Sequence, residues 1–128
     1  MANLWIISRS NYFSVNNPKK FEEWCERRHN DFRCYEGQYA MFCKEPYNGD
    51  EIAIDDATGK EYSFYDELSE FLVPESVAVI LIVGSEKLRY LDGRAIAVNH
   101  LGETKMVRLE DIYSKAEELG NSVTRAEY

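Results

Sequence analysis

Val77-Ala78-Val79-Ile80-Leu81-Ile82-Val83 is the longest apolar run in the chain, and its seven residues decide the fold. A membrane-spanning helix needs about 20 apolar residues, so the run reads as a strand buried in a sheet and not as a span. On its C-terminal side, residues 88–99 alternate, with Leu88 and Tyr90 followed by Ala95 and Ala97 or by Ile96 and Val98. Asp92-Gly93 interrupts that alternation as a bulge or turn. His100-Leu101-Gly102-Glu103 then predicts a hairpin turn into a strand over 104–109. Ile112, Tyr113, Ala116 and Leu119 recur at helical spacing over 110–119, with Gly120-Asn121 as a stop. The remaining polar tail, 122–128, is expected to be loose.

On the N-terminal side, Pro74 ends a short helix over 65–73 whose apolar positions are Leu68, Phe71 and Leu72. Before it, period-two alternation through Phe32 and Cys34, then Gly37, then residues 39–43 predicts a hairpin. Turn clusters at 46–50 and 55–59 set off short strands at 51–54 and 60–64. Asn16-Asn17-Pro18 supplies a cap and a first-turn proline for a helix over 18–29 carrying Phe21, Trp24, Cys25 and Arg28. Residues 4–15 read as two extended pieces separated by a polar bend or bulge at Ser8-Arg9-Ser10-Asn11. Most gaps between strands are too short for a crossover helix. The chain is therefore expected to be one α+β domain over 1–128, a mainly antiparallel sheet with two to three short helices packed on one face.

A length of 128 residues suits one core, and nine Tyr, six Phe and two Trp argue against disorder despite 30% charged residues. The start, Met1-Ala2-Asn3-Leu4, has neither a basic head nor a small-residue cleavage site, which predicts a cytoplasmic location. Cys25, Cys34 and Cys43 include no C-x-x-C pair and read as free buried thiols. Cys25 and His29 would share a helix face, but two protein ligands are too few for zinc, so neither metal nor cofactor is expected. Loops for phosphate or dinucleotides and a serine elbow are absent from the sequence, and His29 and His100 suit surface positions. An enzyme is not expected.

The net charge of −8 is local: residues 36–75 hold eleven acidic side chains against Lys44 and Lys60, and the rest of the chain sums to +1. Glu45, Asp50, Glu51, Asp55, Asp56, Glu61, Asp66, Glu67 and Glu70 are the candidate partner-binding residues, with Glu75 closing the run. Crowded carboxylates repel one another, and a Lys- and Arg-rich partner relieves that repulsion, whereas nucleic acid would add to it. Carboxylates also serve plain solubility.

Arg9-Ser10-Asn11-Tyr12-Phe13 before a helix, together with Glu86-Lys87-Leu88-Arg89-Tyr90-Leu91-Asp92-Gly93-Arg94-Ala95-Ile96-Ala97-Val98 and the end Thr124-Arg125-Ala126-Glu127-Tyr128, resembles small acidic proteins of phages and conjugative elements. The resemblance implies an inhibitor of a bacterial defence nuclease complex, anti-CRISPR or anti-restriction in type. Such a protein would occupy the basic surface of a nucleic-acid-binding defence complex as a DNA mimic. The alternative is a small enzyme or ligand-binding domain with a polar site at Arg9, Asn11, Glu86 and Arg89, joined by Lys87. In a purely structural role, Tyr12, Phe13 and Tyr90 would pack in the core while Arg9 and Arg89 snorkel or pair with carboxylates.

Overall fold

The computed structural model describes residues 4–43, 52–55, 57–86 and 89–126. In chain order these form β1 (Leu4–Ser10), α1 (Pro18–Arg27), β2 (Asp31–Tyr35), β3 (Gln38–Cys43), β4 (Ile52–Ile54) and β5 (Glu61–Ser63). Then come α2 (Phe64–Phe71), β6 (Val77–Glu86), β7 (Tyr90–Asn99), β8 (Thr104–Arg108), a 3-10 turn (Leu109–Asp111) and α3 (Ile112–Ala116). Among the described residues, six strands make one antiparallel sheet in the order β2-β3-β1-β6-β7-β8, and β4 pairs with β5 separately. The α+β class and the antiparallel sheet expected from the sequence are what the chain adopts.

The core lies on one face of the sheet, under α1 and α2. Asn17 caps α1 by accepting the Lys20 amide at 3.1 Å, Pro18 opens it, and Phe21, Trp24 and Cys25 point inward. The helix ends at Arg27, two residues before the expected His29, because His29 turns left-handed at φ 60° and the Asn30 amide returns to the Cys25 carbonyl at 2.8 Å. Ser63 caps α2 through the Asp66 amide, and Asn16 closes its other end by donating from Nδ2 to the Glu70 carbonyl at 2.8 Å. Phe21 sits at the centre of an aromatic cluster of Phe13, Trp24, Phe32, Tyr39 and Phe71, and Trp24 stacks on Phe64.

Several expectations are corrected. Ser8-Arg9-Ser10 neither bends nor bulges: β1 pairs with β6 without interruption from Leu4 opposite Glu86 to Ser10 opposite Ile80. Its polar groups are used up locally. Ser10 is buried, accepts the Met41 amide at 2.8 Å and donates to the Asn11 carbonyl at 2.8 Å. Asn11 extends the ladder with its side chain, accepting the Val79 amide at 2.8 Å and donating to the Val77 carbonyl at 3.0 Å. Asp92-Gly93 is likewise in register, opposite Gly84 and Val83. A side chain there would displace Leu109, since a Cβ at position 93 would fall 2.9 Å from the Leu109 side chain. Leu88 lies outside the described residues.

The run 77–83 is a strand, but only half of it is buried. Ala78, Ile80 and Ile82 face the helices, whereas Val77, Leu81 and Val83 remain 42%, 49% and 49% exposed on the opposite face. Cys25 is buried as expected and Cys34 is exposed. Phe13 is in the core, but Tyr12 stands outside it against Tyr35. The expected helix over 110–119 shrinks to the 3-10 turn and α3 with no buried residue, because no described element packs against Ile112 and Leu119. The tail is tied more firmly than expected: the Ala126 amide donates to the Tyr113 hydroxyl at 2.7 Å, and Arg125 lies over the Tyr113 ring.

Glu36 and Gly37 form the two-residue turn between β2 and β3, both at positive φ, 50° and 80°. That primed turn favours Asn-Gly over Glu-Gly, since a glutamate in left-handed backbone is strained. Glu36→Asn is expected to stabilise the fold by about 0.5–1 kcal/mol, measured as a higher urea midpoint at unchanged slope.

Candidate acidic surface

The acidic stretch divides into carboxylates engaged inside the protein and carboxylates presented to solvent. Arg28, at the end of α1, follows Phe21, Trp24 and Cys25 on the inward stripe and carries a charge to the core's rim, its side chain only 8% exposed. Its guanidinium lies over the Tyr62 ring, 3.5 Å from the centroid. Nε donates to Glu67 Oε1 at 3.0 Å, Nη2 to Oε2 at 2.9 Å, and Nη1 to Asp55 Oδ2. The Trp24 indole donates to the same Glu67 Oε1 at 2.8 Å. This bidentate geometry matches the planar fork of arginine and not the point charge of lysine.

Asp55 is held from its other side as well. Its Oδ1 accepts the amides of Ala57 at 2.8 Å and Thr58 at 3.0 Å, fixing the turn that joins β4 to β5. Arg28 first, and the Thr58 amide after it, lower the pKa of Asp55 below the ordinary carboxylate value. Burial works against the charge on Glu67, but the hydrogen bonds from Arg28 and Trp24 together outweigh it and leave that pKa lowered too. The hydrogen bond to Glu67 in turn raises the pKa of Arg28. Asp55 and Glu67, expected at a partner surface, thus dock the β4-β5 hairpin and α2 onto α1.

Glu61, Asp66 and Glu70 are exposed. Asp66 and Glu70 stand one turn apart on α2 and share a face, and Glu61 precedes the Ser63 cap on the adjoining strand. Among the described residues no Lys or Arg forms an ion pair with any of the three. Glu75 is exposed beyond the end of α2. Glu45, Asp50, Glu51 and Asp56 lie outside the described residues.

The four residues of the alternative polar site are not brought together. Arg9 stands opposite Leu81, whereas Glu86 is five residues further along β6, about 17 Å away at about 3.3 Å per residue. Arg9 lies over the Phe42 ring, and the Asn11 amide is committed to β6. Among the described residues Arg89 pairs with Glu86, at 3.5 Å. Lys87 lies outside the described residues.

Cys25 offers no nucleophile, because burial and then the charges of Glu22 and Glu26 push its pKa up to about 12 and keep the thiol protonated. Among the described residues no three His, Cys, Asp or Glu side chains converge as metal ligands, and no helix is long and apolar enough to cross a membrane.

Two features escaped the sequence reading. Arg94 and Arg108 face each other across β7 and β8, the Arg94 Nε buried without a hydrogen-bond partner among the described residues. The second is the apolar sheet face turned away from the helices, around Ile7, Leu81 and Val83. Its signal was the period of two inside 77–83, hidden because both alternating sets are apolar. Comparison with known proteins finds no matching family model, no similar curated protein and no similar solved structure.

Proposed function

We propose that this chain inhibits a bacterial defence nuclease complex, in the manner of an anti-CRISPR protein, by covering a basic nucleic-acid-binding surface with carboxylates. The observation that carries this reading is the group Glu61, Asp66 and Glu70, exposed and without a cationic partner among the described residues. Self-repulsion of uncompensated carboxylates disfavours the isolated protein and is relieved when Lys and Arg of a partner approach. The Arg28 node supports the same reading by giving the acidic elements a fixed geometry against α1.

The test is protection of phage or plasmid in cells carrying a defined CRISPR or restriction system, followed by competition between the purified chain and DNA for that complex. The double variant Asp66→Lys/Glu70→Lys reverses exposed charges and leaves Arg28 intact. It is expected to weaken binding at least about tenfold and to flatten the salt dependence. Equal protection by the reversed variant, or no protection against any such system, would refute the reading.

A further inference from the structure

We propose that the sheet face opposite the helices is an isologous dimer interface, occupied by a second copy of this chain. The cross-strand register builds a row over all six strands, Asp31, Phe42, Arg9, Leu81, Ala95 and Val107. The next row holds Ile7, Val83 and Gly93, with Leu109 folded over the glycine. Ile7, Leu81, Val83, Val107 and Leu109 are each about half exposed or more, at 49–62%. Scattered exposed apolar residues are ordinary, whereas a contiguous set across neighbouring strands marks an interaction surface.

The shape of this face selects the occupant. On β6 it carries the large side chains Val79, Leu81 and Val83, and on β7, directly opposite them, the small residues Ala97, Ala95 and Gly93. A ridge therefore runs beside a groove, and Leu109 closes the groove at its glycine end. A two-fold axis along the strands, between β6 and β7, sets the ridge of each copy into the groove of the other, with Leu81 over Ala95 and Val79 over Ala97. Facing sheets pack about 10 Å apart and rotated by about 30°, with large side chains meeting small ones.

The charges agree with that axis. It places β1 of one copy across from β8 of the other, so Arg9, over Phe42, approaches the partner segment after β8, where Glu110 and Asp111 follow Leu109. Asp31 and Lys105 offset each side in part. The axis overlays four strands of each copy, β1, β6, β7 and β8, and four strands at about 4.8 Å by some seven residues at about 3.3 Å give roughly 440 Å² in projection before side-chain corrugation. A stable interface takes about 800 Å² per partner, so the overlap has the size of a weak, reversible dimer. Such a dimer leaves both helical layers outermost and makes the protein bivalent.

Sedimentation or light scattering of the intact chain at concentrations to about 100 µM, well above a micromolar Kd, reads the outcome. A species of twice 14.9 kDa is expected. Leu81→Glu places a charge in the ridge and Ala95→Trp fills the groove, and each is expected to raise the dimer Kd at least about a hundredfold with an unchanged circular dichroism spectrum. Leu101→Glu, in the β7-β8 turn at the sheet's end, should leave the dimer intact. Should Leu81→Glu misfold, Ala95→Trp decides alone. A monomeric wild-type chain, or a dimer that survives both substitutions, overturns the proposal. The Asp66→Lys/Glu70→Lys variant should still dimerise, so failure of the inhibitor reading and failure of this one are separable.

Discussion

Phe21→Ala is expected to destabilise the fold by about 3–5 kcal/mol, the range for removing a large aromatic side chain from a packed core. Phe21 is wholly buried, and five rings surround it, with centroids between 5.0 and 6.5 Å away. These rings come from the segment after β1, from α1, β2 and β3, and from the end of α2. The cavity therefore opens where α1 meets the sheet and α2 at once, and no single element can shift to refill it. Because Phe13, Phe32, Tyr39 and Phe71 lose a shared neighbour, the lost edge-to-face contacts add to the lost burial. A domain of this size has about 5–15 kcal/mol in total, so the variant should unfold at a strongly reduced urea midpoint. Phe21→Leu retains much of the volume and should lose less than half as much. Equal losses for the two substitutions would show that the ring geometry, and not the filled space, is what α1 contributes.

The same helix shows what was legible in the sequence. Asn17, Pro18, Phe21, Trp24 and Cys25 announce its start, its phase and its buried face, because caps and apolar spacing are local properties. Arg28 continues that stripe, and a charge on the buried face of a helix is itself a signal of an ion pair. Its partners could not be read, because Asp55 and Glu67 lie 27 and 39 residues away. The acidic residues were visible as a stretch, but which of them are engaged depends on where β4, β5 and α2 dock.

A second kind of failure came from the sheet. The run 77–83 is a strand as its composition required, yet burial of both faces was inferred from the absence of polar residues. An apolar run shows only that water exclusion is favourable on both sides, and within one copy α1 and α2 cover a single side. Ser8, Ser10 and Asn11 misled in the opposite direction. Polar side chains in a strand suggested a break, but Ser10 and Asn11 replace or extend backbone hydrogen bonds that the sheet would otherwise lack. Gly93 belongs with them: a side chain there would displace Leu109, sixteen positions on.

Arg28→Ala is expected to lower the urea midpoint clearly, because it removes the cation that holds both Asp55 and Glu67. The loss should exceed that of Arg28→Lys, which keeps the charge but cannot bind Glu67 through two parallel hydrogen bonds while lying over Tyr62. A pH titration separates this electrostatic part from lost packing. Asp55 and Glu67 both have lowered pKa values in the folded protein, so the unfolded chain binds protons more readily. Their contribution is complete above the unfolded carboxylate range, about pH 4–4.5, and is lost as pH falls through the folded values. The wild-type protein should therefore lose stability progressively in acid, more steeply than the Arg28→Ala variant, and the two should converge toward the difference left by the lost Tyr62 contact once both carboxylates are protonated. Parallel stability curves from pH 7 down to pH 2 would show that the ion pairs with Asp55 and Glu67 contribute nothing to the effect of Arg28. Convergence would place the charge of Arg28 at the joint that fixes the β4-β5 hairpin and α2 against α1, and with them the exposed Glu61, Asp66 and Glu70.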